Sequence, residues 1–213
     1  MKIFKKVWIV VLSVILVAVT GIFALWHNEI ATIASITTII DQDLSHDDGY
    51  TYEMNVSGDY YFDDFLKQGG VSSDEELIQF ITGNITKGVI PMTIKTKEIA
   101  CSSFTAWTKD HQFVFGRNYD FDETNTAIVH TNPKGRHASV STIDLQFLGI
   151  DEKNGITGIK EKALLLAAPY IPLDGINDAG VACGIYMTYQ GDPTVPTNQN
   201  TEKPDITSTT LLR

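Results

Sequence analysis

"EIACSSFTAWTKDHQFVFGRNYDF", residues 98–121, is the stretch on which the reading of this chain turns. From Ser102 to Trp107 polar and apolar residues roughly alternate, Thr108 to His111 supply turn chemistry, and Gln112 to Gly116 return as a second run. The stretch therefore predicts a β-hairpin that opens at Cys101 and whose far strand ends at Arg117. A cysteine at such an opening, nearly halfway along the chain, has the look of an N-terminus. Two registers fit the hairpin. If Trp107 pairs with His111 around the loop 108–110, Cys101 falls opposite Arg117 on one face; if Trp107 pairs with Gln112, Arg117 turns to the other face. Phe113, Val114 and Phe115 make both faces of the second strand apolar, as expected for a sheet covered on two sides, so the apolar pattern does not choose. The chemistry favours the first register, because only there does the guanidinium reach the thiol.

A cysteine attacks as its thiolate, which a neighbouring guanidinium stabilises, and a base must take the thiol proton. His111 sits at the wrong end of the hairpin, and His130 and His137 flank a Pro-Gly loop, so sequence alone places no histidine beside Cys101. An α-amine titrates near pH ~8 and suffices as the base if the Ala100-Cys101 bond is broken. Cleavage there would make residue 101 the N-terminus that it resembles.

These residues carry a family likeness. Cys-Ser-Ser-Phe-Thr-Ala from Cys101, with Arg117 and Asp120 in Gly-Arg-Asn-Tyr-Asp, resembles the choloylglycine hydrolase group of N-terminal nucleophile hydrolases. That group includes bile salt hydrolases, penicillin V acylases, acid ceramidase and N-acylethanolamine amidase. The resemblance runs from Cys101 to the C-terminus, 101–213, with 50–100 similar to the pro-region or α-subunit of the ceramidase-like branch. It implies an α+β fold, the N-terminal part of an αββα sandwich, and hydrolysis of a linear amide in an N-acyl substrate. Cys101 would be nucleophile and, through its amine, base; Arg117 would steady thiolate and substrate; Asp120 would hold the amine. Asn177 to Gly180 resembles the family's Asn-x-x-Gly turn, although turn chemistry alone accounts for it. On the following strand, counting puts Met187 where relatives carry an oxyanion donor, with Tyr186 and Tyr189 beside it. Met187 cannot donate, and Tyr186 substitutes only if the strand slips by one residue. Trp107, Tyr119, Phe121, Tyr186 and Tyr189 are candidate walls for an acyl pocket, with core packing as the plainer reading. The chemistry calls for no metal or organic cofactor. The rival reading is a membrane-anchored binding domain that keeps the fold without catalysis.

Working outward, Val7 to Trp26 carries no charge and follows Lys2, Lys5 and Lys6. About 20 apolar residues are what a helix needs to cross hydrocarbon. The run is longer than the apolar core of a cleaved signal and lacks a convincing small-x-small site, which favours a retained anchor in 1–26, lysines inside and the remainder outside; a cleaved signal is the alternative. Residues 27–49 read as a short helix and an acidic linker. Residues 50–70 alternate enough for one or two strands. Ser73 and Glu76 form a capping box before Leu77, Ile78, Phe80 and Ile81, predicting a helix over 74–82 that stops at Gly83. The carboxylates Asp59, Asp63, Asp64, Asp74 and Glu75 match no calcium loop and read as a solvated face. Cys183, in an apolar run, reads as a small buried hydrophobe.

The chain has 213 residues, 43% of them hydrophobic, enough for a substantial core, and a formal charge of -10. That charge excludes the basic face nucleic acid requires and leaves a small molecule as the expected partner, with the oligomeric state open. The C-terminal "ITSTTLLR" reads as the first turn of a helix, where members of the resembled family continue.

Overall fold

The computed structural model describes residues 2–43, 45, 49–95, 100–120, 124–150, 153–186 and 207–212. Helix α1, Lys2–Ser35, begins with the uncharged run, and its apolar side chains from Phe4 to Leu25 are exposed along most of their length. It is long and apolar enough to cross a membrane. At 1.5 Å per residue, about 20 residues fill the hydrocarbon, leaving roughly the last nine to rise beyond it. Those last turns follow a break in helical geometry at Trp26 (φ −124°, ψ 22°). They are the short helix expected at the start of 27–49, here continuous with the apolar run, and they pack against the rest of the chain. Glu29 and Thr32 are buried, Asn28 accepts from the Ser57 hydroxyl at 3.1 Å, and Ser35 Oγ donates to the Asn55 carbonyl at 3.0 Å.

After that helix the chain does not pass directly into the expected acidic linker: strand β1, Thr37–Ile40, comes first and pairs with β2, Thr51–Val56. The remaining strands of this sheet are β5 (Thr126–Thr131), β6 (Ser139–Asp144), β7 (Asp174–Asn177) and β8 (Ala182–Gly184), in the order β1-β2-β5-β6-β7-β8. Among the described strands only β2 and β5 run parallel, a pairing that requires a long crossover. Short helix α2 (Phe62–Lys67), helix α3 (Asp74–Asn84) and the hairpin of β3 (Ala100–Trp107) with β4 (Phe113–Asp120) lie in that crossover. Residues 50–70 thus hold one strand and a helix. Tyr60 and Tyr61 turn the chain in left-handed conformations (φ 42° and 64°) just before α2.

Helix α3 starts as expected, with Ser73 Oγ accepting from the Glu76 amide at 3.2 Å, but passes through Gly83 to Asn84. Glycine lowers helix propensity without ending a helix whose apolar stripe is packed. Leu77, Phe80 and Ile81 supply that stripe, set against Tyr52, Met54, Ala127, Val129 and Ile143 on one sheet face and against the 3-10 segment Leu165–Tyr170. Tyr170 sits among Tyr60, Phe65 and Phe80 at ring distances of 5.2 to 5.7 Å, and its hydroxyl donates to the Tyr60 carbonyl.

The other sheet face is more polar and meets the β3–β4 hairpin, a separate two-stranded sheet. Its register corrects the expected one: Trp107 pairs with Phe113, and Cys101 with Tyr119. The loop is 109–111, one residue later than expected, because His111 takes the left-handed position (φ 59°) and Thr108 pairs with Gln112 through a 2.8 Å hydrogen bond. A left-handed third residue is the usual closure of a three-residue hairpin loop. Moving the loop by one residue shifts the pairing by two, so facing is preserved. Nor is the hairpin covered on both sides: Phe104, Trp107 and Phe113 are exposed.

Candidate active site

Cys101 and Ser103 alternate onto the hairpin face that carries Tyr119 and Arg117. Arg117 pairs with Ser103, so it lies diagonal to Cys101, not opposite it, and its length closes the gap: Nη2 donates to Cys101 Sγ at 3.0 Å. The same nitrogen donates to the Ile185 carbonyl at 2.6 Å, while Nη1 donates to Asp174 Oδ2 at 2.6 Å. Thr142 Oγ1 donates to the other Asp174 oxygen at 2.6 Å. The guanidinium is only 4% exposed and lies between the rings of Tyr119 and Tyr186, at 5.7 and 5.5 Å. Cation–π attraction to two rings adds to the hold of the carboxylate and carbonyl contacts on this cation.

The glycine at 184 makes this approach possible. A Cβ there would stand 3.0 Å from Arg117 Nε and 3.1 Å from Cδ. Arg117 Nε, buried, has no hydrogen-bond partner among the described residues. Tyr119 is held by donating to Asp144 Oδ2 at 2.9 Å; its burial, then the adjacent carboxylate, push the phenol well above its ordinary range. The phenol therefore keeps its proton at neutral pH.

The sequence candidates divide. Cys101, Arg117 and Tyr186 come together. Asp120 lies opposite Ala100 on the hairpin's outer face, exposed, where Asn118 Nδ2 donates to its Oδ1. Its side chain thus stands away from the sulfur but level with the backbone that a cleavage before Cys101 would free. Trp107 is not part of the constellation. It stands six residues along the strand from Cys101, roughly 20 Å away, and edges onto Phe113 at 5.4 Å. Met187, Tyr189 and Phe121 lie outside the described residues. Cys183 is half-buried, correcting its reading as core; burial and then the Asp174 carboxylate push its thiol up. Both cysteines are free.

No described histidine contacts the thiol: His130 meets Glu53 at 2.9 Å and His137 meets Asp178 at 2.6 Å. Among the described residues no cluster of three or more His, Cys, Asp or Glu is arranged to hold a metal ion. Sequence reading missed Asp174, Thr142, Gly184 and the Ile185 carbonyl. Asp174 lies 57 positions from Arg117 and looks like a turn residue before Gly175. Gly184 did carry a signal, since glycine inside an apolar strand marks a close approach.

No family model, curated protein or solved structure matches this chain.

Proposed function

We propose that the chain is a cysteine amidohydrolase of the N-terminal nucleophile type, acting on a linear N-acyl amide. The observation that carries this reading is the 3.0 Å contact between a buried guanidinium, anchored by Asp174 and the Ile185 carbonyl, and the Cys101 sulfur. Charge-assisted donors stabilise an anionic sulfur, and one held by Asp174 and a backbone carbonyl needs little reorganisation as charge develops.

In this mechanism the Ala100-Cys101 bond is cut and the new α-amine of Cys101 takes the thiol proton. The sulfur adds to the substrate carbonyl, the carbonyl electrons move to oxygen, and collapse of the tetrahedral adduct expels the amine, which leaves with the proton from the Cys101 ammonium. Water activated by the same amine then hydrolyses the thioester to the free acid. In this reading Asp120, across from Ala100, would hold the α-ammonium, and the hydroxyl of Tyr186, which is 39% exposed beside Arg117, would donate to the developing oxyanion. The helices on one sheet face and the hairpin on the other support the beginning of an αββα layering. Helix α1 supports a membrane-tethered enzyme with this part outside.

Full-length protein in lipid nanodiscs tests the reading by intact mass, by iodoacetamide labelling and by turnover of a panel of N-acyl amides. Expected are a fragment beginning at Cys101, fast labelling of Cys101 near neutral pH, and amide hydrolysis abolished by Cys101→Ala. An uncut chain that nevertheless hydrolyses amides would exclude the N-terminal mechanism. An uncut, unreactive chain would favour an anchored binding domain.

A further inference from the structure

A second concave site lies on the sheet face turned away from the thiol. Strand alternation puts Thr142, Asp174 and Gly184 on the face that Arg117 meets, and Ser141, Gly175 and Cys183 on the opposite one. There, a cleft of about 540 Å³ is walled by Tyr60, Phe62, Leu66, Pro172, Leu211 and Leu212. Ligand clefts of roughly 300 to 1,000 Å³ with apolar walls and a few polar groups are the common pattern. Ser141 is the polar group of interest here. It is only 4% exposed, lines the cleft, and its Oγ has no hydrogen-bond partner among the described residues. Buried hydroxyls are almost always satisfied, so an orphan on a residue that lines a cleft points to a bound acceptor or donor.

The charges at the rim are already engaged. Arg136 donates to Asp63 at 3.0 Å through Nε and stacks 5.1 Å from Phe62, and His137 meets Asp178. The cleft therefore suits an uncharged head group. Its wall residue Tyr60 also lines a smaller recess formed by Asn28, Glu29 and Thr32, the first turns of α1 past the apolar run. One side of the cleft thus adjoins the segment that emerges where a bilayer surface would be.

We propose that this cleft binds a single long acyl chain bearing an uncharged amide, drawn from the adjoining membrane, with the Ser141 hydroxyl donating to the amide carbonyl. The proposal is independent of the Cys101 chemistry, because it concerns the other face of the sheet. Cys183 lines the cleft and serves as its reporter. Within these 213 residues the Cys101→Ser change leaves Cys183 as the sole cysteine. Its maleimide labelling rate in nanodiscs would be followed with hexadecanamide, octanamide or hexadecane added to the lipid. Hexadecanamide should slow labelling, octanamide less, and hexadecane hardly at all. Ser141→Ala deletes an unsatisfied hydroxyl, so the fold should hold while the half-protecting amide content rises about fivefold. Leu66→Trp, which fills the cleft, should abolish the amide's effect; Val181→Trp, at an exposed wall position, does the same job if the Leu66 variant melts early. Unchanged labelling with hexadecanamide, equal protection by hexadecane, or protection that survives both tryptophan variants would overturn the proposal.

Discussion

Replacing Asp174 by asparagine tests how the guanidinium is held. The pair is 2.6 Å at its closest atoms, with side-chain exposures of 4% for Arg117 and 19% for Asp174. With charge centres about 4 Å apart and an effective dielectric of about 20, the attraction is about 4 kcal/mol. Asparagine keeps an acceptor in the same place and so retains a charge-assisted hydrogen bond of about 2 kcal/mol. The net loss is therefore about 2 kcal/mol, which in a chain of this size lowers the melting temperature by about 4 to 8 °C. Circular dichroism of the full-length protein in nanodiscs reads that shift. Iodoacetamide labelling of Cys101 reads the second consequence, a slower reaction because Nη2 is no longer fixed 3.0 Å from the sulfur. A variant that melts within 1 °C of the parent and labels Cys101 at the parent rate would refute the argument that Asp174 orients Arg117.

Three further outcomes follow from the geometry. Gly184→Ala places a methyl 3.0 Å from Arg117 Nε, so it should slow Cys101 labelling and lower turnover by about 10², with a lower melting temperature to the extent that the Asp174 pair is disturbed; unaltered labelling kinetics would show that the guanidinium can move aside freely. The pH profile of Cys183 alkylation in the Cys101→Ser chain should have a midpoint above that of a free thiol, since burial and Asp174 disfavour the thiolate. By linkage the folded chain then binds the thiol proton more tightly than the unfolded chain, so this contribution to stability is present below the ordinary thiol pKa and is lost as pH rises through the folded one; a midpoint at or below the free-thiol value contradicts this. Lys87 donates to the Tyr61 hydroxyl at 2.6 Å and sits 3.8 Å from buried Glu29, so Lys87→Met should destabilise the junction with α1 by about 1 to 3 kcal/mol, read as a lower melting temperature that Glu29→Gln in the same chain partly restores.

Elements whose signals are local were legible before any coordinates. Ser73 and Glu76 marked the start of α3 because a cap acts within one turn, and the alternation from Ser102 onward marked the hairpin. Its register was not legible, because it depended on His111 taking a left-handed conformation that sequence favours only weakly. Facing survived the error, since a two-residue shift preserves which side chains share a side. The parallel β2–β5 pairing joins residues 75 positions apart, as does the bond from the Tyr50 amide to Asn125 Oδ1, and no short-range pattern announces such a match. A separation of 57 positions likewise hid Asp174: composition shows an acidic chain but does not say which carboxylate meets Arg117. The alternation in 50–70 allowed one or two strands without saying where they end, and the left-handed backbone of Tyr60 and Tyr61 that turns the chain after β2 had no local signal.

The place of β2 in the sheet bears on what a cut before Cys101 would release. β2 is hydrogen-bonded to β1 on one side and to β5 on the other, and Met54, Leu77, Phe80 and Ile81, all from the upstream piece, are core residues. Severing the backbone at that point would leave two polypeptides that share one interior, like halves of a split protein. The downstream fragment would stay at the membrane although no peptide bond joined it to the helix, and salt alone would not wash it off, because the join is apolar packing and strand pairing. Denaturation would separate the fragments, and recovery would then have to find a second molecule as well as a fold. Refolding yield should therefore depend on protein concentration for the nicked form and not for an uncleavable Cys101→Ala chain.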